Sequence, residues 1–134
     1  MPGCVLRVGG AAFDVNSLLK QTKLAPCAVK RVGDKRLPTE QPLTKSSFNA
    51  IVSESESLAV QQQEAIKYLR QHAVELCQLS QASTVEYMTL DFGIYRRDAL
   101  AQFDEFTAEL VHLAAEFRMS LTLSQYAISE EEPS

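Results

Sequence analysis

Residues 86–95 read Glu-Tyr-Met-Thr-Leu-Asp-Phe-Gly-Ile-Tyr, with an apolar side chain on every second position. In an extended chain Met88, Leu90, Phe92 and Ile94 point one way, and Tyr87, Thr89, Asp91 and Tyr95 the other. A helix cannot collect a period of two on one side, so the segment predicts a half-buried strand over Glu86–Tyr95. A strand with one greasy face needs neighbours beside it and a layer above it.

The covering layer is legible on both sides of that strand. Between 58 and 80, Ile66, Leu69, Ala73, Leu76 and Cys77 recur at helical intervals, while Gln61, Gln62, Glu64, Lys67, Gln71, Glu75 and Gln78 take the opposite side. This predicts one long helix over Leu58–Ser80, opened by a capping box at Ser53-Glu54-Ser55-Glu56. After the strand, Leu100, Phe103, Thr107, Leu110, Ala114 and Phe117 step by three and four, with Phe106 and Leu113 widening the stripe. Asp98 is placed to cap that second helix.

The remaining elements are shorter. A strand over Cys4–Val8 is expected to bend at Gly9-Gly10. Asp14 caps a helix over Val15–Thr22, and Pro26 stops it. A strand over Ala28–Val32 enters a turn at Gly33-Asp34, and residues 35–47, with two prolines, read as a long loop. Phe48–Ser53 and Leu121–Ile128 complete the strands, and residues 129–134 form an acidic tail. Two strands in succession without a helix between them favour an α+β domain over a doubly wound parallel sheet. The expected architecture is a mixed or mostly antiparallel sheet of about five strands with helices on one face. Its most economical version is a ferredoxin-like core (β-α-β-β-α-β) plus an extra helix and strand.

A chain of 134 residues, 46% of them hydrophobic, suffices for one domain over residues 1–128 with a core that needs no disulfide or metal. No run approaches the ~18 apolar residues of a membrane span. The first seven residues lack the basic leader and apolar stretch of a signal peptide, and Cys4, Cys27 and Cys77 form no CxxC pair. The reading is a cytoplasmic protein with reduced thiols. Of the three thiols only Cys27, beside Pro26, is expected at the surface.

The formal charge of −4 hides an asymmetry: residues 1–46 carry a net +5 and residues 47–134 a net −9. The bases concentrate at Lys30, Arg31, Lys35 and Arg36, and a second pair, Arg96 and Arg97, precedes the last helix. Together they make a candidate anion site, set against the plainer reading of a solvated strand edge. No aromatic residue is interleaved to stack on bases, and no nucleic-acid partner is expected.

Chemistry of other kinds finds little footing. Glu109-x-x-His112 has the spacing of a di-iron helix without the further glutamates that site needs, and His72, Glu75 and Cys77 do not converge by helical geometry. No P-loop, nucleophile elbow or dinucleotide fingerprint is present, so no catalytic residue, metal ligand or cofactor is assigned. The polar side of the strongest strand is the remaining candidate: Tyr87, Thr89, Asp91 and Tyr95, extended by Tyr126, form a tyrosine-bearing face of the kind enriched at protein interfaces.

Several of these segments, taken in order, resemble one family. They are Phe13-Asp14, Lys30-Arg31-Val32-Gly33-Asp34, Ser47-Phe48-Asn49, Ala65-Ile66-Lys67-Tyr68-Leu69, Leu90-Asp91-Phe92-Gly93-Ile94 and Leu121-Thr122-Leu123-Ser124-Gln125-Tyr126. Together they resemble, over residues 4–128, a widespread bacterial family of small cytoplasmic proteins classed as a domain of unknown function. The sequence lacks the tryptophan that many members carry after the basic turn. The resemblance implies an α+β domain and a bacterial source, and brings no activity, cofactor or catalytic residue. The functional expectation is therefore a non-enzymatic protein-interaction module of accessory or immunity type, partnering another protein or itself as a homodimer, with no membrane partner. The alternative is a small anionic-ligand-binding protein or minor enzyme using the basic turn and Arg96/Arg97.

Overall fold

Strand β1 (Gly3–Gly10) lies at the centre of a five-stranded sheet, between β3 (Ser46–Ser53) and β4 (Tyr87–Tyr95), antiparallel to both. The computed structural model describes residues 2–21, 24, 26–35, 38, 41–97 and 99–128. The expected cap Asp98, the expected helix end Thr22 and the tail 129–134 lie outside the described residues, as does Arg36 of the basic turn.

The short β2 (Ala28–Lys30) pairs antiparallel with β3, and β5 (Ser120–Tyr126) runs parallel to β4, giving the order β2-β3-β1-β4-β5. Four helices complete the α+β domain: α1 (Val15–Gln21), α2 (Leu58–Gln71), α3 (Ala73–Gln81) and α4 (Ala108–Glu116). The β1-α1-β2 and β3-α2-α3-β4 units each bracket a strand of the other.

The core lies between the sheet and the helices. Cys4, Leu6, Val8, Phe48, Ala50, Met88, Leu90 and Phe92 pack against Val15, Ala65, Leu69, Leu76, Leu110 and Ala114 in one buried cluster. The registers Leu6↔Leu90 and Leu6↔Ala50 align the inward residues of three strands as a period of two requires. Phe106 stacks on Phe92 with ring centroids 5.1 Å apart.

Several expectations are corrected. Gly9 and Gly10 do not bend the chain but continue β1. A Cβ on Gly9 would meet the Tyr87 ring and lie 2.8 Å from Ser47 Cβ, while one on Gly10 would strike the Thr84 carbonyl. Close packing selects glycine there, and the turn comes at Ala11-Ala12. The strand expected over Ala28–Val32 stops at Lys30, because Arg31 N–H bonds Asp34 Oδ2 (3.0 Å) and Val32 N–H bonds Ser46 Oγ (3.0 Å). Leu43 closes the loop base, donating to the Asp34 carbonyl and accepting from Gly33 N–H.

The single helix expected over Leu58–Ser80 is two, divided at His72 with φ −108° and ψ 24°. Its cap is Ser57, whose hydroxyl accepts from Val60 N–H, rather than the box at Ser53–Glu56. Gln61 and Gln62, expected on the wet side, are buried, and Cys77, expected in the core, is exposed. The last helix begins at Ala108, not Leu100, with Thr107 as its cap accepting from Leu110 N–H.

Candidate functional site

The sheet face opposite the helices carries Val5 and Arg7 from β1, Asn49 and Ile51 from β3, Tyr87, Thr89, Asp91 and Tyr95 from β4, and Thr122, Ser124 and Tyr126 from β5. None of them belongs to the core cluster. Strand alternation puts them there: those on β1, β3 and β4 are one position out of step with a buried neighbour, and those on β5 share the face through their register with β4.

At the centre of this face the Arg7 guanidinium donates to Asp91 Oδ2 at 3.0 Å, and Ser124 Oγ donates to Asp91 Oδ1 at 2.6 Å. The Asn49 amide, turned so that both of its ends are satisfied, accepts from Arg7 Nη1 at 3.2 Å. Asp91 is 13% exposed at its side chain, Arg7 42%. The charges of Arg7 and Asp91 thus cancel locally, and the hydrogen-bonded centre they form with Asn49 and Ser124 spans four strands.

Around that centre stand partly exposed apolar groups. Tyr95 and Tyr126 are register neighbours on β4 and β5, Ile51 is half exposed on β3, and Tyr87 lies over Gly9. Lys45 sits 5.8 Å from the Tyr87 ring centroid and 3.7 Å from Glu86. All five residues of the expected polar strand face therefore share one surface. Arg7, Asn49 and Ser124, at its centre, escaped the sequence reading. The signal for Arg7 was available, since it alternates with Leu6 and Val8 on the first strand.

The basic residues do not converge. Lys30, Arg31 and Lys35 lie at the β2 edge near the Tyr87 end of the sheet, whereas Arg96 and Arg97 follow the far end of β4. Three strand spacings and the length of β4 separate the two groups by roughly 30 Å. Arg31 Nε is bonded to Asn16 Oδ1 at 2.9 Å. Arg97 donates to Asp104 Oδ1 (3.2 Å) and to the Phe103 carbonyl (3.3 Å). Arg96 and Arg97 do border an open depression of about 690 Å³ with Leu100, Gln125 and Ile128.

The other candidates are dispersed. Glu109 pairs with Arg70, and His112 Nε2 lies 3.0 Å from Glu116. His72 stacks on Tyr68. Among the described residues no three metal-ligating side chains gather in one place. Cys27 is exposed as expected and Cys77 joins it. Burial pushes the Cys4 thiol far above the usual range, with Asp91 and then Glu64 adding to the effect, so it is held as an un-ionised thiol.

No protein-family model, curated protein or solved structure matches the chain. No helix among the described residues is long and apolar enough to cross a membrane.

Proposed function

We propose that the protein is a non-enzymatic protein-interaction module that engages a protein partner through the open sheet face. The observation that carries this reading is the neutralised Arg7–Asp91–Ser124 centre, ringed by Tyr87, Tyr95, Tyr126 and Ile51 and uncovered by any described helix. Interfaces favour this composition: tyrosines that bury large area at low entropic cost, around polar groups that are already satisfied. An accessory or immunity-type role, in which this face masks a partner in the bacterial cytoplasm, is the concrete form of the proposal. The family resemblance behind that setting rests on the sequence motifs alone.

The competing anion-binding reading has less behind it, because its two basic groups stand at opposite corners and Arg31 and Arg97 are already bonded within the chain. The test is affinity capture from the source organism with the native chain and with a Tyr87→Ala/Tyr95→Ala variant. A partner held by the first and lost by the second is the expected result. Undiminished capture by a folded double variant refutes the assignment of the face.

A further inference from the structure

The two edges of the sheet are built differently. The β2 edge is three residues long and flanked by exposed Lys30, Arg31 and Lys35, the short, charged form that discourages strand addition. The β5 edge is seven residues long, Ser-Leu-Thr-Leu-Ser-Gln-Tyr, with no charge and no proline. Nothing in its sequence resists another strand.

Its backbone direction is set by one bond. Arg96 N–H donates to the Tyr126 carbonyl at 2.8 Å, so the even-numbered residues of β5 face β4, and Leu121, Leu123 and Gln125 turn their N–H and C=O groups outward. Among the described residues those outward groups have no partner. An antiparallel two-fold through Leu123 pairs Leu123 with Leu123 and Leu121 with Gln125, and each such pair exchanges two N–H···O bonds. The same register keeps Ser120, Thr122, Ser124 and Tyr126 on the open face of both copies.

A second feature marks the same edge. Leu100 and Ile128 line the open depression beside Gln125, Leu100 wholly exposed and Ile128 at 65%. Antiparallel pairing brings the start of a second β5 alongside that end.

We propose that the outer edge of β5 is a self-pairing edge, through which two copies of this chain join about Leu123 into one continuous sheet of ten strands. A second copy fits better than a foreign strand because the edge has no charge with which to select one. The acidic residues of the chain's second part are all absent from β5, so two copies meet there without like charges in register. This surface is separate from the face proposed above, which the dimer would double in width.

Sedimentation from micromolar to near-millimolar concentration tests it, with Gln125→Pro and Thr122→Lys as variants. The Gln125 N–H points away from β4, so proline preserves the β4–β5 ladder while removing an outward donor and blocking the partner. Lysine at 122, exposed on β5, sets like charges diagonally across the two-fold. The native chain is expected to dimerise and each variant to weaken the dimer at least tenfold, with circular dichroism unchanged. A native chain that stays monomeric, a dimer indifferent to both variants, or a monomer that takes up a foreign strand peptide at this edge overturns the proposal. Partner capture through Tyr87 and Tyr95 is scored separately, so either reading can fail alone.

Discussion

The side-chain amide of Gln62 accepts the N–H of Thr107 at 2.8 Å and with its other end donates to the Glu105 carbonyl at 3.0 Å. One buried glutamine on α2 thereby bonds the backbone on both sides of Phe106 as a neighbouring strand would, Thr107 is extended (φ −66°, ψ 149°), and α4 begins only beyond it. Replacing Gln62 by leucine leaves a backbone donor and acceptor without partners at a site only 5% exposed. The expected loss is about 1–3 kcal/mol. Urea denaturation measures it as a lowered midpoint at unchanged slope, and an unchanged midpoint would show that the clamp is not what sets the helix start.

The same glutamine explains why part of the fold escapes sequence reading. The period-two segment 87–95 and the inward residues of β1 and β3 obey local alternation, so the sheet and the polar strand face are legible in advance. The helical stripe from Leu100 to Phe117 is equally regular, yet Leu100 and Phe103 are exposed in a loop. Gln62, Arg97, Gln102 and Asp104 bond the backbone and one another across that loop, contacts set by tertiary placement rather than spacing. Gln61 is hidden for the same reason: its amide donates to the carbonyls of Ser55 and Gly93, distant partners that turn a polar residue inward. At the candidate site the strand face was legible, whereas the pairing of Arg7 with Asp91 depended on which strands are neighbours.

Arg7 and Asp91 offer a measurable coupling at the centre of the open face. Each single alanine substitution should destabilise the protein, and the double-mutant cycle should return about 0.5–1 kcal/mol in low salt, the range for a partly exposed ion pair. Screening in 1 M salt should reduce that energy. Strict additivity in low salt would remove the ion pair from the account of this face.

Cys4 and Tyr68 couple the fold to alkaline pH. Burial raises both groups, with Asp91 and Glu64 adding to it at Cys4, and Glu75 and Cys4 at Tyr68, so each holds its proton more tightly folded than unfolded. Their contribution is complete below the ordinary thiol and phenol values of about 8.5 and 10, and is lost as pH rises above them. For wholly buried Cys4 the slope approaches about 1.4 kcal/mol per pH unit, and partly exposed Tyr68 adds a smaller share from about pH 10. Melting temperatures followed from pH 7 to 11 should fall beyond about pH 8.5, and Cys4→Ala should flatten the first part of that fall. An identical profile in the variant would contradict the assignment.

Gly10 sits against the chain that leads into β4, where an added Cβ would strike the Thr84 carbonyl and come within 3.1 Å of Glu86 N. Both neighbours are backbone, and neither can rotate away as a side chain could. Gly10→Ala should therefore cost about 1–3 kcal/mol as overpacking, although alanine is the better strand former. Thermal denaturation decides it, and a neutral result would mean that the 84–86 segment yields without loss.

Arg118 ends α4 with φ +55°, and the bonds Met119 N–H to Ala114 and Arg118 N–H to Ala115 form a Schellman motif around it. Glycine is the usual occupant of that left-handed position because any Cβ crowds the following carbonyl. Arg118→Gly should stabilise the protein by about 0.5–1 kcal/mol, the relief of backbone strain exceeding the extra freedom glycine gives the unfolded chain. Arg118→Ala supplies the control: it removes the charge, keeps the strain, and should leave the urea midpoint close to that of the native chain. If both variants shift the midpoint equally, the effect belongs to the lost guanidinium and not to the left-handed backbone.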